Sequence, residues 1–529
     1  MPRRISRARA GAAAGDPVLW AVLALLVAAS FAVFAAQALD AAAHDRVFIG
    51  ADGLWAQDQL QYLGWATDAG RHGLIADLFA LRLGGRVFLD PVALISGLAH
   101  VRLGLSYALV QAIWKLIAAA VLFAALVAYA RSLLGGRGQA VAVAAALALF
   151  MLPPSYLIAR ALPLYGVRVT GLETLPVFWL WGYYPIALAV TAMIACLIQV
   201  DRALERGGGM LAAGALGLAT AWLHPWQGAT LLTILAGLVV WERPSWARHR
   251  RLLGPALATA APLAYYAVLP YADAGWAQAR THTEHNWFSS GDLAILIVVL
   301  PVALLGLPGY LKPAATSRER MLKLWPLAIV VVFLVVRTDR FHPLGGWSIP
   351  AALCVVRGWP WVRERIGAWP PLRARGGAAP LAAVAGIAFL LAAAPIEIAY
   401  HVADFRAGPL AASELDRDDA RALARVASLP GSGGVLTTAY VGHWVPALTD
   451  HPSWIGHPTW TPDYSRRDDE VDALFGAADG PAAARRFVAT TGAAFVLEPC
   501  GYPARLRAAL TPARFRALRV GCATLFWRP

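Results

Sequence analysis

Long apolar runs, nearly free of charge, recur along this chain from residue 17 to about residue 399. A helix needs about 20 apolar residues to cross a bilayer. Inside lipid its backbone polar groups must be satisfied internally. The runs fall at about 17–39, 107–130, 139–153, 178–199, 210–223, 226–241, 252–270, 293–311, 322–336, 344–357 and 379–399. They do not show the short alternating pattern of barrel strands. The expected fold class is an α-helical polytopic membrane protein with about eleven spans and a small C-terminal α/β domain. The split at His224-Pro225 reads as a turn between two spans or as a kink in one longer helix.

The loops orient the spans. RSLLGGRG, DRALERGGG, ERPSWARHRR, KPAATSRERMLK and residues 357–376 fall on the same side as the basic N-terminus, MPRRISRARA. Arginine and lysine collect on the cytoplasmic side of short loops. The formal charge of +14 is therefore a topology signal and not a nucleic-acid footprint; the only lysines are Lys115, Lys312 and Lys323. The first run, Pro17 to Leu39, is longer than a signal peptide's roughly 7–15 apolar residues, so it reads as a retained span. The expected organisation is a cytoplasmic basic segment 1–16, a transmembrane domain 17–399 with a large first external loop 40–106, and an extracytoplasmic domain 400–529.

Chemistry-bearing side chains gather on the external side. In the first loop, WAQDQLQYLGWATDAGRHGL has helical periodicity, and Asp58, Tyr62 and Trp65 fall at i, i+4 and i+7 on one face. This face reads either as an interfacial anchor or as a general-base carboxylate beside an aromatic platform for a sugar ring. Asp52 is the second candidate base; Asp68 and Asp77 read as solvent-side residues. A short amphipathic segment from Val92 to Leu98, ending in His100 and Arg102, is expected to lie along the membrane surface.

Lys115 falls about two turns, or roughly 12 Å, into the second span from its outer end. It reads either as a snorkelling lysine or as an ammonium for a lipid phosphate. Arg337, Arg340 and His342 share the external turn RTDRFHP, which would clamp a phosphate or anchor to headgroups. His224 stands where Pro225 interrupts the helix and frees backbone groups, a feature tolerated where the chain lines a cavity. The loop 271–292 holds Arg280, His282, Glu284, His285 and Trp287, of which His282, Glu284 and His285 are candidate metal ligands.

From about Ala411 the composition becomes that of a soluble domain. Helices are expected at 412–428, 465–475, 481–491 and 503–510, strands at 434–440 and 493–498, and a hairpin at 515–527. The four cysteines, Cys196, Cys354, Cys500 and Cys522, form no zinc cluster. Cys500 and Cys522 both lie in the tail, where an oxidising compartment would allow a disulfide. The segment TAYVGHWVPALTDHPSWIGHPTWTPDYSRR is dense in His, Trp and Tyr; it is one wall of a sugar site or a loop packed on the membrane part.

This layout, with DQLQYLGW in the first loop and VLTTAYVGHWVPALTDHPSWIGHPTWTPDYSRR then GAAFVLEP in the tail, resembles the GT-C fold glycosyltransferases. The resemblance implies an inverting membrane enzyme that moves a sugar from a polyprenyl-phosphate donor to an envelope glycan, lipid or protein acceptor. The setting would be the extracytoplasmic face of the plasma membrane. It implies a first-loop base, which maps onto Asp58 with Asp52 as fallback, and lipid-phosphate contacts at Lys115, Arg337 and Arg340. Some members carry an acidic pair in this loop; here Gln59 follows Asp58, which leaves both the base and use of a divalent metal open. The rival readings are a transporter or flippase, which would want polar residues along the bundle interior, and a non-catalytic relative that binds envelope material. No P-loop or GxGxxG motif calls for a nucleotide.

Overall fold

The computed structural model describes residues 16–52, 55–81, 84–135, 137–161, 173–242, 246–284, 290–339, 341–368, 378–404, 413–430, 433–476, 480–502 and 506–528. Arg340, His285, Trp287 and the basic segment before Asp16 lie outside the described residues.

Each of the eleven apolar runs is helical over most of its described length. Six described helices are long and apolar enough to cross a membrane: Pro17–Ala43, Tyr107–Leu134, Gly138–Ile158, Tyr184–Arg206, Arg250–Ala272 and Pro380–Ala403. Local chemistry sets their starts. Asp16 accepts a hydrogen bond from the Val18 amide at 3.0 Å, and Ser106 accepts one from Leu109 at 3.3 Å. Thr316 and Glu319 form a reciprocal capping box. The run expected at 178–199 is offset: a short helix Pro176–Trp179 is followed by a turn, and the long helix starts at Tyr184. Gly182, at φ 83°, makes that turn, and a Cβ there would overlap the Gln59 side chain.

The first loop carries two helices, Ala56–His72 and Pro91–Leu103, which pack closely along their length. Glycines set the approach. A Cβ on Gly97 would overlap the Ala66 carbonyl, and one on Gly70 would overlap the Gly97 backbone. Gly97→Ala is therefore expected to force the helices apart at a cost of about 1–3 kcal/mol. Thermal unfolding in detergent measures this, and an unchanged midpoint would refute the contact.

The tail closes over this loop. Strand β1, Arg46–Phe48, pairs antiparallel with β2, Glu414–Asp416. Strands β3 (Val435–Leu436), β4 (Phe495–Glu498), β5 (Arg516–Val520) and β6 (Ala523–Trp527) form a sheet in the order β3-β4-β6-β5, with β3 and β4 parallel. The strand expected over 434–440 stops early, because the Thr438 side chain caps a helix over Ala439–Leu448. The helix expected from 412 starts at Arg417, capped by Asp416 at the end of β2. Cys500 and Cys522 form a disulfide with Cα atoms 5.0 Å apart.

The helix Ala439–Leu448 lies on Ala56–His72, with Thr67 Oγ1 donating to the Ala447 carbonyl at 3.2 Å. Arg71 pairs with Asp450 at 2.9 Å. Two first-loop acids expected on the solvent side are buried. Asp68 is 4% exposed and bonded to the Arg86 guanidinium at 3.1 Å; Asp77 is 9% exposed and accepts from the Phe79 amide. Neither faces solvent: the Ala76 amide and Arg86 of the loop itself hold Asp68, and Gly275 of the helix Ala274–Thr283 packs against Asp77.

Candidate active site

The helical periodicity of the first loop places Asp58, Tyr62 and Trp65 on a single cavity wall. The cavity has a volume of about 920 Å³. Other walls come from the turn at Tyr183, the His224-Pro225 junction, Arg337, Thr338, Asp339 and His342, and His457, Thr459 and Trp460 of the tail.

Asp58 is held by two partners that lie far away in the chain. The Tyr183 hydroxyl donates to Oδ2 at 3.0 Å. His457 Nε2 lies 2.8 Å from Oδ1. The Thr459 amide donates to His457 Nδ1 at 3.2 Å, so the proton sits on Nε2 and is directed at Asp58. The carboxylate is thus fixed in rotamer while its side chain stays 28% exposed. Behind it, burial and then His457 push the His443 imidazole down to about 4. His443 is neutral and does not compete for the Asp58 charge.

An aromatic wall adjoins the carboxylate. Trp65 meets Trp460 edge to face at 5.5 Å, Trp276 meets Trp460 at 5.0 Å, and Phe88 meets Trp276 at 4.7 Å. Tyr62 lies 5.6 Å from Trp65; burial and then the Asp58 charge hold its hydroxyl well above the usual phenol range. The first loop, the helix Ala274–Thr283 and the tail each contribute, so the wall exists only in the closed fold.

The cavity also has a cationic edge, interrupted by Asp339. Arg337, His224 and His342 line the cavity. His342 Nδ1 lies 2.5 Å from the Glu173 carboxylate, whose side chain is 1% exposed. Burial pulls the His342 imidazole down, but the Glu173 charge and hydrogen bond, then Asp339 and Asp58, outweigh it and hold the group at about 9. His224, with its ring centre 5.3 Å away, is driven the other way by burial and by His342.

Two other candidates are not in the cavity. The Lys115 ammonium lies 2.6 Å from Asp52 Oδ2 and also donates to the Leu180 carbonyl; both side chains of the ion pair are fully buried. Lys115 does not snorkel, and neither Lys115 nor Asp52 lines the cavity. A lysine 63 residues from an acid carries no sequence signal of that pairing. Sequence reasoning left Tyr183, Glu173 and His457 without a role. Only His457 had a signal, within the motif GHPTW.

Among the described residues, no group of cavity-lining side chains is placed to hold a divalent ion. Among the described residues, two groups could hold one: Asp416, Asp418, Cys500 and Cys522, and Asp68, His72 and Asp450. Neither lines the cavity; the first has its cysteines in the disulfide, and in the second Asp68 and Asp450 already pair with arginines. Each Asp58 oxygen already has a protein donor.

A bundle of apolar helices with an acid-bearing helical first loop above a cavity, closed by a C-terminal segment, is a GT-C architecture. The chain has that fold. It is similar to the oligosaccharyltransferase of Archaeoglobus fulgidus in complex with Zn and sulfate, at 13% identity and a TM-score of 0.50, over 90% of this chain and 67% of that one. It is similar to the arabinofuranosyltransferase AftD from Mycobacteria at 14% identity and a TM-score of 0.50, over 96% of this chain and 41% of that one. ArnT from Cupriavidus metallidurans, bound to undecaprenyl phosphate, aligns at 14% identity and a TM-score of 0.48, over 96% and 97% of the two chains. No protein-family model and no curated protein sequence matches the chain.

Proposed function

We propose that this protein is a glycosyltransferase that moves a sugar from a polyprenyl-phosphate donor to a hydroxyl of an envelope glycan, lipid or protein on the extracytoplasmic face. The observation that carries this reading is the pairing of opposite chemistries across one cavity. Asp58, held by Tyr183 and His457, shares that cavity with Arg337, His224 and His342.

Asp58 takes the acceptor hydroxyl proton as the oxygen attacks the anomeric carbon. The bond from that carbon to the phosphate oxygen breaks, and the electron pair leaves with the polyprenyl phosphate. A phosphodiester monoanion becomes a phosphomonoester dianion, so negative charge grows where Arg337 and His342 stand. Cations already in place at the developing charge stabilise the transition state. A single displacement inverts the anomeric centre. The Trp65, Trp276 and Trp460 wall offers faces and edges to the apolar side of a sugar ring. Apolar residues of the cavity, Leu223, Leu263, Ala267 and Val335, suit the first isoprene units.

Sugar transfer in proteoliposomes tests the proposal, with a panel of labelled polyprenyl-phosphate sugars and crude envelope acceptor. Transfer or donor hydrolysis with one donor class is the expected result. Movement of intact lipid-linked sugar between leaflets without bond cleavage would sink it in favour of a flippase.

A further inference from the structure

The two histidines at the cationic edge stand 5.3 Å apart, ring centre to ring centre, yet their surroundings differ. His342 has a carboxylate at 2.5 Å. His224 is 7% exposed, and its Nδ1 has no hydrogen-bond partner among the described residues. Trp226 packs edge to face on His342 at 4.5 Å and lies 5.1 Å from His224, so neither ring is free to reorient. Glu173 is the asymmetric element. It is buried, its Oε1 meets His342, and its Oε2 has no hydrogen-bond partner among the described residues. A lone buried carboxylate is costly unless a cation compensates it.

We propose that Glu173 is a positioning residue that keeps His342 an imidazolium and thereby leaves neighbouring His224 neutral, so that the leaving phosphate meets one full charge and one neutral hydrogen-bonding ring. This rests on the reading of the cavity as a lipid-phosphate site.

The logic is that of paired groups whose environments push their titrations apart. Two imidazoliums at this distance would repel, and two neutral rings would offer no charge to a dianion. One buried acid resolves the choice. The groups facing His342 are Glu173 from the segment before Pro176, His224 and Trp226 from the helix junction, Asp58 from the first loop, and Asp339 on its own turn. Arg337 lines the same cavity. The acids favour the charged ring and His224 yields to it. The net result is a phosphate site whose charge persists through the neutral range, because His342 loses its proton only at about 9. Histidine near its ordinary value would lose that charge between roughly pH 6 and 7.

The test combines two readouts on the full chain in nanodiscs. Ring-carbon NMR of histidine-labelled protein gives the His342 titration, with a His342→Gln sample identifying its resonance. Equilibrium binding of a radiolabelled short-chain polyprenyl phosphate gives phosphate affinity. In Glu173→Gln the His342 titration is expected to fall toward its ordinary value. Affinity is expected to drop about ten- to a hundredfold at pH 8 while staying close to wild type at pH 5.5. Glu173→Asp is expected to restore part of both. An unmoved titration in Glu173→Gln would overturn the positioning role. A titration that moves while affinity does not follow it would instead overturn the phosphate reading and leave an internal ion pair. Should Glu173→Gln fail to fold, wild type alone decides: a His342 titration near 6.5 would exclude the charged ring.

Discussion

Asp58→Asn is expected to lower sugar transfer by about 10²- to 10⁴-fold, the usual contribution of a positioned base. The substitution keeps shape but removes the proton acceptor. It also places an amide N–H against either Tyr183 or His457, both of which donate to Asp58 in the wild type. A loss of turnover with polyprenyl-phosphate affinity intact would assign the deficit to chemistry. Tyr183→Phe is the companion, since it removes one donor while the carboxylate stays; it is expected to weaken transfer less. Wild-type turnover in Asp58→Asn would exclude this base. Asp52 could not replace it without rearrangement, because that carboxylate is sealed against Lys115.

The second large effect concerns folding. Lys115→Met should destabilise the protein by about 3–5 kcal/mol, because it leaves the Asp52 charge and the Leu180 carbonyl buried without their cation. Denaturant titration in detergent measures the loss. The double change Asp52→Leu with Lys115→Met removes both charges and is expected to recover most of the stability, a coupling that a double-mutant cycle isolates. A stable Lys115→Met that loses only polyprenyl-phosphate binding would return Lys115 to the phosphate site and refute the structural assignment.

The His342–Glu173 pair has its own pH signature. A histidine raised in the folded state stabilises the fold below its unfolded value near 6.5, and that contribution is lost as pH rises through about 9. Unfolding midpoints followed from pH 6 to 10 should fall over that window in wild type and fall less in Glu173→Gln.

Local signals carried the reading a long way where the physics is local. Hydropathy located eleven helical runs because a span's requirement for apolar residues is met within the segment itself. The 3.6-residue period put Asp58, Tyr62 and Trp65 on one face, and that face lines the cavity. Asp68 and Asp77 are buried and not solvent-side for a non-local reason: polarity suggests solvent, but Arg86 pairs with the first and Gly275 packs against the second.

What the amino-acid sequence determined by itself is therefore the polytopic membrane class, the acid-bearing face of the first loop, and the gathering of histidine and arginine in the turns between helices. The tertiary structure alone decided which of these groups meet. His457 reaches Asp58 across 399 positions, Glu173 reaches His342 across 169, and Lys115 is withdrawn from the cavity by an acid 63 residues earlier. Periodicity reports which side of a helix a residue occupies, because that depends on backbone geometry over a few residues. Pairing of buried charges depends on which helices pack, and that is settled by burial and close approach summed over the whole chain.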